Sequence, residues 1–270
     1  MSTTLLAPEK PGGPILRMLT RVVPTIIIFV VVVWAFTGID FKGLGKTAGT
    51  VTAAMFKGFL NPDTSFVWNG TGEDLIGLMI LTIAIALIGT IIAVIGAIPL
   101  AFIMAAGPHK PKVVSGLAQF ALTVLRTFPE IVLAVIFVKM VGPGPFAGAM
   151  AIGVHSVGML GKLYSEEIEK IPKQPIEGLV AVGGNALQTL WYAKLPLLIP
   201  QFLSLALNRF EIAVRSATIL GIVGAGGIGT PIIFAIASRN WSRVGIILIG
   251  IVITVTLIDM GSGYLRKKLR

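Results

Sequence analysis

The chain contains no cysteine, which excludes disulfides, thiolate metal sites and a thiol nucleophile. Histidine is nearly as scarce: His109 and His155 lie far apart, too few for a His-based metal site. Charge is also short. Only 13% of the 270 residues are charged, against about a quarter in soluble domains, while 55% are hydrophobic. A soluble fold of this length still needs a polar surface, so the deficit makes lipid the expected solvent. The net charge of +10 does not signal nucleic acid. The cations cluster in short segments beside apolar runs and in the terminal Arg266-Lys267-Lys268-Leu269-Arg270, as topology-setting charges do, and no basic, aromatic-interleaved segment exists. The chain also has no complete phosphate loop: Gly45-Lys46-Thr47 occurs, but Asp40 stands where the pattern G-x-x-x-x-G-K-[ST] has its first glycine.

What is present is a series of apolar runs long enough to cross a bilayer, which takes about 20 residues. Residues 1–21 are polar, with Pro and Gly, and read as a cytoplasmic segment; no cleavable signal is expected. Spans are predicted at 22–39, 75–106, 113–141, 146–163, 195–223 and 244–265, followed by a tail at 266–270. The third is interrupted by Arg126-Thr127-Phe128-Pro129-Glu130; proline removes a helix bond, so one broken span is expected. Gly107-Pro108-His109-Lys110-Pro111-Lys112 closes the second span, and Gly142-Pro143-Gly144-Pro145 forms a tight turn. The cations assigned to the inside, from Lys10 to Arg270, outnumber Lys42, Lys46, Lys57, Arg239 and Arg243 on the outside. Both termini are therefore expected in the cytoplasm of a multi-pass inner-membrane protein. The external segment 40–74 is expected to hold a short helix on the membrane surface, and the Asn69-Gly70-Thr71 sequon reads as chance. There is no fixed-period repeat and no soluble catalytic domain. The expected class is all-α, one polytopic membrane domain of about six helices.

Residues 164–194 form the one long charge-rich stretch between apolar runs. Glu177, Gly183 and Leu195-Pro196 lie there at the spacing of Glu, Gly and Leu-Pro in the EAA loop of ABC importer permeases, which the segment resembles. Gly178 and Leu179 stand where that pattern has two alanines, and Ala193 where it has Ile. A short amphipathic helix ended by Gly183-Gly184 would protrude as a rigid knob, since glycine permits the sharp turn or a close backbone approach. The other reading is an ordinary charged loop. The run from Asn208 through Arg209, Phe210, Glu211, Arg215, Ser216 and Thr218 to Gly221, with Gly224 to Gly229, is similar to the corresponding span of phosphonate importer permeases. Arg126 to Glu130 and His155-Ser156-Val157-Gly158 fit the same family, and the resemblance covers about residues 75–265.

That resemblance implies a type I ABC importer permease fold and a homodimer of permease subunits. It also implies two cytoplasmic ATP-hydrolysing subunits carrying the ATP and Mg, and an extracytoplasmic binding protein. The substrate would be phosphonate, or phosphate or phosphite as in relatives. No cofactor bound by this chain is implied, nor any enzymatic role. Coupling to the ATPase would fall on Glu177, Gly178, Gly183, Gly184, Leu195 and Pro196.

Charge inside a span is costly and points to function. Glu211 and Arg215 are four apart and can pair on one helix face, with Asn208 near it; Arg126 and Glu130 have the same spacing across Pro129. Two roles stay open for Arg126, Glu130, His155, Ser156, Asn208, Arg209, Glu211, Arg215, Ser216 and Thr218: pairs locking helices together, or the lining of an anion's route. Guanidinium suits the latter because it stays charged and matches oxyanion geometry. His155 reads equally as pore-facing or as a packing residue. Gly224-x-Gly226-x-x-Gly229 has the letters of a dinucleotide fingerprint, but no strand precedes it and Asp259 comes too late; the glycines are expected to break a helix or admit close packing. An ion-gradient-driven secondary transporter is the alternative, and it leaves the charged loop unexplained. An intramembrane enzyme lacks a nucleophile–base pair, since His155 and Ser156 are adjacent and point to different helix faces.

Overall fold

The structure, a computed structural model, describes residues 14–38, 44–105 and 112–269. The closing segment 107–111 and most of the polar N-terminal segment lie outside the described residues. All regular structure among the described residues is helical. The chain divides into two units, Met1–Ala54 and Met55–Arg270.

The first unit holds α1 (Pro14–Thr37), with Pro24 inside it, and the start of α2 (Leu44–Leu60). The apolar part of α1, Arg21–Thr37, spans about 25 Å at 1.5 Å per residue, against a hydrocarbon core of about 30 Å. Every side chain from Arg21 to Gly38 is exposed.

The second unit runs through α3 (Leu75–Met104), α4 (Lys112–Thr127), α5 (Glu130–Val141), α6 (Pro145–Glu169), α7 (Lys173–Ala181), α8 (Ala186–Gln188), α9 (Leu195–Leu220), α10 (Gly229–Ala237) and α11 (Trp241–Leu269). Among the described residues, α3, α6, the helical stretch containing α9, and α11 are long and apolar enough to cross a membrane. α4 and α5 make up to a fifth crossing, bent by 85°. Pro129 stands as the residue before α5 with extended ψ. It has no amide hydrogen and steers Phe128 from helical geometry, so the expected kink is a full break.

Helix α6 lies at the centre because its sequence is unusually small. Ala147, Gly148, Ala151, Gly153, Gly158 and Gly161 are all buried. It meets α3 through reciprocal notches: a Cβ on Gly89 would sit 2.8 Å from Ile152 Cγ2, and one on Gly153 would sit 2.8 Å from Ile92 Cγ2. Small residues admit this backbone approach, and in lipid it is dispersion rather than a hydrophobic drive that holds such helices together. At the far end of α6, Tyr164 stacks on Phe202 of α9 at 4.1 Å and donates to the Phe202 carbonyl at 3.2 Å. Helix α6 runs on to Glu169, past Leu163 where the apolar run ended. Lys162–Glu166 and Glu167–Lys170 pairs support that extension, and no breaker intervenes before Pro172.

The glycine run ends α9. Gly224, Gly226 and Gly227 have φ of 87°, 82° and 76°, values that exclude most side chains, and a Cβ on Gly226 would lie 2.8 Å from Pro145 N. The Gly144 amide donates to the Gly224 carbonyl at 2.9 Å. Both expected uses, a helix break and close approach, occur here. Before α3, Asp74 caps the helix: Oδ1 accepts from Gly77 N at 2.8 Å, and Oδ2 from Asn69 N and Gly70 N. These amides, Gly77 foremost, hold its carboxyl below the usual carboxylate range against the opposing effect of burial. The Asn69 side chain accepts from Thr71, so the sequon serves the turn itself.

Candidate functional site

Helix α9 carries polar side chains on two faces, and helix period sorts them. Arg209 and Ser216 are seven residues apart and share one face; Glu211, Arg215 and Thr218 share another. The first face meets α5 and α6. Arg209, 3% exposed, donates from Nε to Ser156 Oγ at 2.6 Å and from Nη2 to Glu130 Oε1 at 3.4 Å, and its Nη1 lies 3.8 Å from Met159 Sδ. Ser216 Oγ donates to Glu130 Oε2 at 2.9 Å. Ser156 Oγ in turn donates to the Ile152 carbonyl. Three helices are thus joined by one buried ion pair whose lone pairs and protons are largely used, the condition under which a buried pair is tolerated. His155 is half-buried beside Glu130 and Arg209, with Nδ1 buried and lacking a hydrogen-bond partner.

The second face meets α11. Glu211 Oε1 accepts from Arg266 Nη2 at 2.6 Å and from Ser262 Oγ. Arg215 Nη1 donates to Asp259 Oδ2 at 3.4 Å, with both side chains nearly half exposed. Thr218 bonds back to the Val214 carbonyl, and Asn208 is half-buried. Two expected pairings are therefore corrected. Glu211 does not pair with Arg215, because α11 offers each a cross-helix partner with better reach. Arg126 does not pair with Glu130: the break at Pro129 turns α5 by 85°, and Glu130 swings to Arg209. Arg126 is exposed at the end of α4. The residues missed from sequence are Asp259, Ser262 and Arg266. Their spacing of three and four along α11 places them on one face, a signal available beforehand.

The knob lies between α6 and α9. Helix α7 ends in a turn at Gly183, φ 85°, with open space where a Cβ would be, while a Cβ on Gly184 would sit 2.7 Å from the Leu179 carbonyl. Asn185 and Gln188 then close a reciprocal cap. A π-helical turn, Thr189–Lys194, runs directly into α9 at Leu195, with Pro196 in the first turn. Glu177 and Gly178 are exposed. So are Val182, Leu187, Trp191 and Tyr192, at 80%, 64%, 60% and 76%. Together they give the loop an exposed aromatic and aliphatic surface.

Apolar spans packed around a glycine-rich central helix, buried charges between them and an exposed helical knob define a polytopic transport permease. Residues 97–270 match the family described as binding-protein-dependent transport system inner membrane component, and the chain belongs to that family. It is 40% identical over 69% of its length to the phosphite transport system permease protein PtxC of Stutzerimonas stutzeri, covering 68% of that protein. It is 33% identical over 83% of its length to the phosphate-import permease protein PhnE of Mycolicibacterium smegmatis, of which it spans 45%. Among solved structures, an inward-facing form of the MetNI methionine ABC transporter has a TM-score of 0.62 at 20% identity, over 70% of this chain and 93% of that one. The fold is that of ABC importer permeases.

Proposed function

We propose that the chain translocates phosphonate or a related phosphorus oxyanion, phosphate or phosphite, into the cell by alternating access, driven by ATP on partner subunits. The resemblance of residues 75–265 to phosphonate permeases and the phosphite and phosphate names of its relatives support the substrate class. In this reading two copies form the membrane unit, two ABC ATPases dock on the cytoplasmic knob, and an external binding protein delivers the anion. ATP and Mg stay on the ATPases, and this chain binds no cofactor. Both termini then face the cytoplasm. The cleft of about 690 Å³ lined by Asn69, Glu73, Asn240 and Arg243 falls on the external side.

The observation that carries the mechanism is the unbroken helical path from the knob into α9. A displacement of Trp191 or Tyr192 passes through Thr189–Lys194 into the helix whose middle bears Arg209 and Glu211. Helix α9 grips α5 and α6 by one face and α11 by the other, so motion at the knob reaches all three. Coupling then rests on Glu177, Gly178, Gly183, Gly184, Leu195 and Pro196, as read from the sequence. The test is purification from detergent extracts of a complex containing an ATPase subunit whose hydrolysis rate rises with a substrate-loaded binding protein. Uptake by this chain alone, without nucleotide, would instead support a gradient-driven transporter.

A further inference from the structure

The charges set within the spans mostly find an opposite charge in the chain: Arg209 with Glu130, Arg215 with Asp259, Arg266 with Glu211. Arg126 and Lys139 are exceptions, Lys139 in the last turn of α5. Among the described residues no carboxylate or hydrogen-bond acceptor engages the Arg126 guanidinium. Its backbone is clamped on α6, where a Cβ at Gly158 would lie 2.9 Å from Arg126 N. Gly158 is two residues beyond Ser156, which holds Arg209, so Arg126 lies close to the level of the buried cluster. Hydrocarbon is among the least favourable surroundings for a guanidinium, so its side chain faces water or an anion.

A second cation shares its recess. Arg126, Lys162, Gln119 and Thr123 line one small depression between α4 and α6. Lys162 is only loosely held by Glu166, at 3.8 Å with both side chains more than two-fifths exposed. Thr123 spends its hydroxyl proton on the Gln119 carbonyl, so the donor beside the two cations is the Gln119 side-chain amide, with two N–H groups. Two cations lining one recess make its potential positive, which favours an anion there.

We infer that Arg126 and Lys162, with Gln119, form a contact site for a tetrahedral phosphorus oxyanion. The inference rests on the oxyanion-transport reading. The guanidinium fork spans two oxygens, the ammonium supplies a compact second charge, and the amide donates to a third oxygen. The enclosed space is about 10 Å³, room for about one water, so the anion sits at the mouth and stays partly hydrated. That suits a station on a route, which must release what it holds. The same chemistry is offered by two sources, the transported anion and the phosphate of a lipid headgroup.

The absence of cysteine makes the test clean. Arg126→Cys and Lys162→Cys are prepared in the full complex, checked for assembly by co-elution with the ATPase, and placed in vesicles of neutral lipid. A water-soluble cationic methanethiosulfonate is applied, and labelling is read on this chain's gel band. Protection of either cysteine by inorganic phosphate, phosphite or methylphosphonate assigns the site to the transported anion. Arg126→Gln should then raise the uptake KM about tenfold or more, with Arg126→Lys intermediate. Protection only when phosphatidylglycerol is added assigns the site to a lipid headgroup. Labelling indifferent to both, or no labelling, with an unchanged KM in Arg126→Gln, overturns the inference. Failure of the wild-type complex to take up any of the three anions defeats the transport reading instead. If Arg126→Cys does not assemble, Lys162→Cys carries the same outcomes.

Discussion

Replacing Glu130 with Gln removes the only carboxylate paired with Arg209 among the described residues and keeps the shape of the side chain. The Arg209 side chain is 4% exposed and that of Glu130 16%, so neither partner is rescued by water. Breaking a buried pair from one side costs about 3–5 kcal/mol, because the remaining charge is left uncompensated. Partial exposure of Glu130 places the expectation toward the lower end. For a chain of this length each kcal/mol shifts the melting temperature by about 2–4 °C, so Glu130→Gln should melt roughly 6–20 °C below wild type. Arg209→Met alone removes the cation and leaves a mostly buried carboxylate with one Ser216 hydrogen bond, and should also be destabilised. The double variant removes both charges and should recover at least half of the single-variant loss, since no charge is then left buried without a partner. The assay is thermal unfolding of the detergent-solubilised complex, followed by loss of monodisperse elution. A Glu130→Gln protein melting within about 2 °C of wild type, or losses that simply add, would refute the view that this pair ties α5, α6 and α9.

Further predictions follow from other elements. Gly183→Val places a β-branched residue at φ 85°, a strain of about 1–3 kcal/mol. In a turn with open space around it, this should lower ATP-driven uptake while membrane insertion stays normal, and Glu177→Arg should do the same; normal uptake in both would count against the coupling role. Gly153→Val would press a side chain into Ile92 of α3 and should cost about 1–3 kcal/mol, read as reduced melting temperature and yield, while Gly261→Val, whose Cβ meets nothing within 4 Å, should not. Asp74 has a folded pKa below its ordinary 3.8, set first by the Gly77 amide. Its contribution is therefore complete above that value and lost as pH falls through the lower folded one. The melting gap between wild type and Asp74→Ala should be constant from pH 7 to about pH 5 and shrink below about pH 4; an unchanging gap would contradict the cap.

Of the six predicted spans, four fall on helices long and apolar enough to cross a membrane and a fifth on the bent pair α4–α5, while 22–39 falls on a shorter apolar helix; charge bias supplied an orientation to test. Pro129 announced the break in the third span, yet not its 85° angle, which depends on how α4 and α5 each seat on α6. The charged residues of the site were legible as types and positions. Their partners were not: spacing of four shows that Glu211 and Arg215 can meet, but the choice falls to α11, whose Asp259, Ser262 and Arg266 share a face by spacing yet reach α9 only through the packing of the two helices. The knob was visible through Glu177 and Gly183. Its exposed Trp191 and Tyr192, and the π-helical turn joining them to α9, carry no local signature, since that turn arises where the loop must feed into a fixed helix.

The most direct test of the central claim is uptake of labelled methylphosphonate, phosphate or phosphite into vesicles holding this chain with its ATPase and binding-protein partners. The account predicts accumulation that needs ATP and the binding protein and persists when ion gradients are collapsed. Accumulation without nucleotide, abolished when the gradients are collapsed, would contradict it.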